Sequence, residues 1–63
     1  MSENIDYVIL WYRNGLDYSI RVEDVELGNC VLKEKFHNKL TFEKALAQYK
    51  KEFKNNMVAE MRL

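Results

Sequence analysis

The chain has 63 residues, 48% hydrophobic and 32% charged, with two Gly, no Pro and a formal net charge of zero. That length allows one domain, 1–63, burying about 60% of the surface its unfolded form exposes, which leaves little room for a deep substrate cleft. The composition excludes a disordered or low-complexity chain, and the zero net charge hides an asymmetry: residues 1–31 carry six acids against two bases, and residues 32–63 carry eight bases against four acids.

The N-terminus, Met1-Ser2-Glu3-Asn4, is acidic and polar, unlike a signal peptide. The longest apolar run, Tyr7 to Tyr12, falls far short of the roughly 20 residues that span a bilayer. Asn14-Gly15 then sits between two β-rich runs, and this pair favours a tight hairpin turn because both residues tolerate positive φ. A two-residue loop at this pair sets Arg13 against Leu16, Trp11 against Tyr18, Ile9 against Ile20 and Tyr7 against Val22. Apolar residues then share one face, and a slip of one residue would destroy the match. The other face of the first strand carries Val8, Leu10 and Tyr12, opposite Arg21, Ser19 and Asp17. A half-buried edge strand would be polar there. The first strand is therefore central in its sheet, or a partner or an extra segment (residues 24–40 or the N-terminus) covers this face.

Gly28-Asn29 marks a second turn. Cys30, Leu32 and Phe36 alternate with polar residues, which predicts a third strand near 30–37. Glu34 interrupts its apolar face, and a bulge near Glu23-Asp24 would reconcile the phase with Val25 and Leu27. Thr41 reads as a helix N-cap, with Leu40 and Ala45 as a hydrophobic staple. Phe42, Ala45, Leu46, Tyr49 and Phe53 form a helical stripe over 42–55. Glu43 and Lys54 suit the helix dipole, and Asn55-Asn56 stops the helix. The tail from Met57 to Leu63 alternates again, with Met57, Ala59, Met61 and Leu63 on one face and Val58, Glu60 and Arg62 on the other. The fold class is α+β: an antiparallel sheet with an N-terminal hairpin, one amphipathic helix on one face and a short C-terminal strand.

Signals for chemistry are sparse. His37 is the sole histidine and has no triad partner or ligand spacing near it in sequence. Cys30, alone, excludes an internal disulfide framework and suits a reducing compartment, so the expected location is the cytoplasm; it reads as a small half-buried residue. Glu23, Asp24 and Glu26 form an acidic bend without the Gly and alternating Asp/Asn of a calcium loop, and serve otherwise as a contact patch for a basic surface. Gly15 and Gly28 stand alone, so no phosphate-cradling loop exists. No catalytic residue, metal, cofactor or small-molecule substrate is expected.

The stretch Ile5–Val22 around Asn14-Gly15, the helix opened by Thr41-Phe42-Glu43 and the tail Val58–Leu63 cover most of the chain. In size and element order it resembles the small host-takeover proteins of tailed bacteriophages, such as inhibitors of host RNA polymerase and phage-encoded antitoxins. The resemblance implies a mode of action, stoichiometric binding that blocks a larger host protein, and assigns no site residue.

The functional expectation is a non-catalytic protein-binding module, an inhibitor or regulator of a larger protein. It acts through the outer sheet face (Val8, Leu10, Tyr12, Arg21) or through a strand edge by β-augmentation, and a homodimer through the same surface is a close relative of this idea. The alternative is a nucleic-acid binder using Lys44, Lys50, Lys51 and Lys54, although Glu43 and Glu52 are interspersed among them.

Overall fold

The computed structural model describes residues 5–61. Four strands, β1 (Tyr7–Asn14), β2 (Asp17–Asp24), β3 (Asn29–Phe36) and β4 (Asn56–Met61), form one sheet, and one helix, α1 (Lys39–Glu52), separates β3 from β4. The strand order is β3-β2-β1-β4. β1, β2 and β3 pair antiparallel, and β4 joins β1 in parallel. The α+β class, the hairpin, the single helix on one face and the closing strand are therefore as expected, but the sheet is mixed where an antiparallel one is expected from sequence. The parallel pair follows from connectivity: α1 runs back along the sheet after β3, so β4 starts at the end where β1 starts. Asp6 N–H donates to Asn55 O at 2.8 Å, tying those two starts together. Arg62 and Leu63, assigned to the tail strand from sequence, lie outside the described residues.

The hairpin forms with a register two residues away from the expected one. Trp11 faces Ile20, Ile9 faces Val22, Arg13 faces Tyr18, and Asn14 faces Asp17. The loop residues are thus Gly15-Leu16. Gly15 has φ +64°, and Leu16 is not among the described residues with positive φ, which is the pattern of a type II′ turn with Gly in first position. A shift of two keeps every side chain on its expected face. It also releases Leu16, at 84% exposure, into the turn.

The bulge lies where β2 passes from Val22 to Glu23: Val22 faces Leu32 and Glu23 faces Cys30, so Val31 is the extra residue on β3. This turns Cys30 away from Leu32 and Phe36, and Cys30 is exposed rather than half-buried. Val25 and Leu27 do not continue the inward phase; both are exposed in the β2–β3 turn. Asp24 closes that turn, its Oδ1 accepting from Leu27 N–H at 2.9 Å and its carbonyl from Gly28 N–H at 2.7 Å.

The helix begins three residues before the expected position. Asn38 is the N-cap, and its Oδ1 accepts from Leu40 N–H at 2.8 Å and Thr41 N–H at 3.3 Å. Asn and Thr are both capping residues, and Asn ranks higher. Leu40 consequently lies inside the first turn at 61% exposure, where no staple with Ala45 forms. Glu43 falls beyond the first turn, and Lys50 and Lys51 occupy the last. Asn55, at φ 56°, turns the chain into β4. Asn38→Ala should lower stability by about 1 kcal/mol, read as a lower urea midpoint with unchanged slope. An unchanged midpoint would assign the cap elsewhere.

The core lies between α1 and the inner face of the sheet. Ile9, Ile20 and Val22 are fully buried, and Phe36, Phe42 and Tyr49 nearly so. Trp11, Tyr18, Leu46, Phe53 and Val58 pack around them. Phe42 is the hub: its ring centroid lies 4.7 Å from Tyr18, 5.3 Å from Trp11 and 6.3 Å from Phe36. Glu34, which interrupts the apolar face of β3, accepts a hydrogen bond from the Tyr49 hydroxyl of α1. The polar interruption therefore meets the one polar tip on the helical stripe.

Candidate outer-face interface

Pairing registers define three rows across the sheet face opposite α1. Lys35, Ser19, Tyr12 and Met61 form one row; Lys33, Arg21, Leu10 and Ala59 form the next. Beyond the bulge, Cys30, Glu23, Val8 and Met57 form the third. The face thus divides along the strands. The β1–β4 half is apolar, and the β2–β3 half is polar and basic. α1 lies on the other face, the β2–β3 turn sits at a strand end, and no described element crosses the outer face. Residues 24–40, one candidate cover for Val8, Leu10 and Tyr12, do not cross this face; within them Asn29–Phe36 extends the sheet sideways as β3. The other, the N-terminus, has its first four residues outside the described part.

Val8, Leu10 and Tyr12 are half-buried by their neighbours within the sheet, while Met57 and Met61 are exposed. Ser19 is only 5% exposed, shielded in its row between the longer Lys35 and Tyr12. A depression of about 340 Å³ opens there, lined by Tyr12, Asn14, Ser19, Lys33 and Lys35 among others. Arg21 is engaged by Glu23 two residues along the same strand, with Nε donating to Oε2 at 2.7 Å. The Glu23 hydrogen bond and charge raise the Arg21 pKa still further above its usual value. Its positive charge is locally balanced, which leaves Lys33 and Lys35 as the net charge of the basic half.

The structure thus brings Val8, Leu10, Tyr12 and Arg21 together on one surface. Lys33, Lys35, Met57 and Met61, which adjoin them, were not assigned to it from sequence. The alternation of β4 marked Met57 and Met61 as sharing a face, but only the parallel register with β1 shows which face.

The other candidate set is dispersed. Lys44, Lys50, Lys51 and Lys54 are all exposed. Lys44 and Lys51 are two turns apart along α1, about 10 Å, and Lys50 points about 100° away from Lys51. Lys54 lies past the end of the helix. Gln48 Nε2 donates to Glu52 Oε1 at 3.0 Å on the same helix, so the lysines alternate with acidic and amide groups.

Residues that could carry chemistry do not converge. His37 Nδ1 lies 2.8 Å from Asp17 Oδ1 in an exposed pair joining the end of β3 to the start of β2. Cys30 is at the far end of β3, roughly 20 Å away at the rise of an extended strand. Glu23 and Asp24 are engaged by Arg21 and by the turn, which dissolves the acidic cluster as a unit. Among the described residues no group of three or more His, Cys, Asp or Glu could hold a metal ion, and no helix is long and apolar enough to cross a membrane.

The chain matches no family model, no curated protein and no solved structure.

Proposed function

We propose that this is a small non-catalytic binding module whose outer sheet face docks onto a larger protein as a stoichiometric inhibitor or regulator. The observation behind this reading is the divided face. An apolar strip, Val8, Leu10 and Tyr12 with Met57 and Met61, lies beside Lys33 and Lys35 with no described element over it. An aromatic and aliphatic centre bordered by cations suits a partner presenting an apolar ridge flanked by carboxylates. The resemblance to phage host-takeover proteins adds the mode of action, blocking a host protein by occupancy, in the cytoplasm.

Affinity capture from lysate of the source organism, with nuclease present, tests this reading. Wild type is expected to retain one stoichiometric protein. Leu10→Asp or Tyr12→Ala should lower its affinity at least tenfold, since each alters the centre of the face. Both side chains lie opposite the core, so circular dichroism should show the fold retained. Equal recovery by these variants would remove the outer face as the interface. Recovery that disappears with nuclease or with Lys50→Glu/Lys51→Glu would instead support the nucleic-acid reading on α1.

A further inference from the structure

The two edges of the sheet are unlike. The β3 edge carries Lys33 and Lys35 on its outer side, an adjacent Glu34, and the bulge at Val31. Lysines and bulges are the devices by which proteins keep a sheet edge from pairing with another chain. The β4 edge, Asn56–Met61, has neither: its described residues include no base and no bulge, and Glu60 is its single charge.

Which backbone groups β4 leaves open follows from the start of the strand. Asn55 O accepts from Asp6 N–H at 2.8 Å and Tyr7 N–H at 3.4 Å, so that carbonyl points toward β1. Successive peptides along a strand point in opposite directions. The N–H and C=O groups of Asn56, Val58 and Glu60 therefore point away from β1, toward the open edge.

We infer that the β4 edge is the dimerisation surface, where a second copy of this chain adds its own β4 antiparallel across a two-fold axis perpendicular to the sheet. With Val58 facing Val58, the outward groups match completely: Val58 bonds to Val58, and Asn56 bonds to Glu60 in both directions. On the outer face Met57 then meets Ala59 of the other copy in a non-hydrogen-bonded pair, where side chains approach most closely. The antiparallel arrangement is the one in which a two-fold axis satisfies these outward groups reciprocally. Among the described residues each copy has one edge without lysines or a bulge, so assembly stops at two and does not grow into a filament. The β1–β4 apolar strips of both copies become continuous. This inference does not depend on the proposed docking function.

The test is sedimentation velocity of the full chain from about 5 to 200 μM, with circular dichroism on each variant. Wild type, 7.6 kDa per chain, should shift from monomer to dimer with no larger species. Glu60→Pro removes an outward N–H, which an edge strand tolerates, and should leave a folded monomer throughout the range. Ala59→Lys combined with Met57→Lys places lysines opposite one another across the axis and should do the same, so loss of fold in one variant leaves the other to decide. A wild type that stays monomeric overturns the inference. So does a dimer that survives the β4 variants, and one broken only by Leu10→Asp would lie on the sheet face instead.

Discussion

Phe42→Ala is expected to leave the chain unfolded at 25 °C. Phe42 is 4% exposed and in ring contact with Tyr18, Trp11 and Phe36, which bring β1, β2 and β3 against α1. Truncating a buried Phe costs about 3–5 kcal/mol. The whole net stability of a domain this small is roughly 3–5 kcal/mol, so the loss equals the reserve. Far-UV circular dichroism should lose the helix signal, and urea should show no cooperative transition. Phe42→Leu is the control: it keeps most of the volume and should cost less than about 1.5 kcal/mol. A cooperative transition in Phe42→Ala near the wild-type midpoint would show that Phe42 is not the hub.

Raising the pH above 10 should destabilise the fold through Tyr49. Burial raises the Tyr49 phenol from 10.0 to about 12, with the hydrogen bond to Glu34 and its negative charge adding to the shift. The folded pKa is above the unfolded one. The stabilisation is therefore fully present below pH 10 and is lost as pH climbs toward about 12. A shift of this size corresponds to at most about 3 kcal/mol, a large share of the stability of so small a domain. The urea midpoint should be flat from neutral pH to about 9 and fall steeply above 10. The chain has three other tyrosines, so the decisive comparison is with Tyr49→Phe. That variant should start about 1 kcal/mol lower at neutral pH and lose less on alkalinisation. Parallel curves for the two proteins would remove Tyr49 as the cause.

Much of the fold was legible because alternation and helical periodicity report burial directly. Tyr7, Ile9, Trp11, Tyr18, Ile20 and Val22 share the core face as their spacing requires, and Phe42, Tyr49 and Phe53 turn inward together. The hairpin register was not legible for the same reason. A two-residue shift preserves every face, so the pattern cannot distinguish the alternatives. The shift places Arg13 over the Tyr18 ring, 5.7 Å from its centroid, with Arg13 Nε donating to Gly15 O at 3.2 Å. The helix start was a competition between Asn38 and Thr41, both competent caps, settled by three-dimensional geometry. Glu34 read as a defect because its partner Tyr49 belongs to another element fifteen residues on. Half of the outer face was visible as Val8, Leu10 and Tyr12. The remainder depended on β4 and β3 flanking the hairpin, which no local pattern encodes.

The parallel β1–β4 pair also orders the folding reaction. β1 acquires its first neighbour by closing a two-residue loop, and its second only after β3 and α1 have been laid down. Asn55 Nδ2 reaches Asp6 Oδ2 across 49 positions of sequence. Loop-closure entropy grows with that separation, so the hairpin can nucleate early while β4 must arrive late. Until residues Asn56–Met61 have left the ribosome, the edge of β1 stays open and Val58 cannot take its place beside the core. A nascent chain halted before that point holds a strand seeking a partner, and during that interval it is most exposed to pairing with the wrong one.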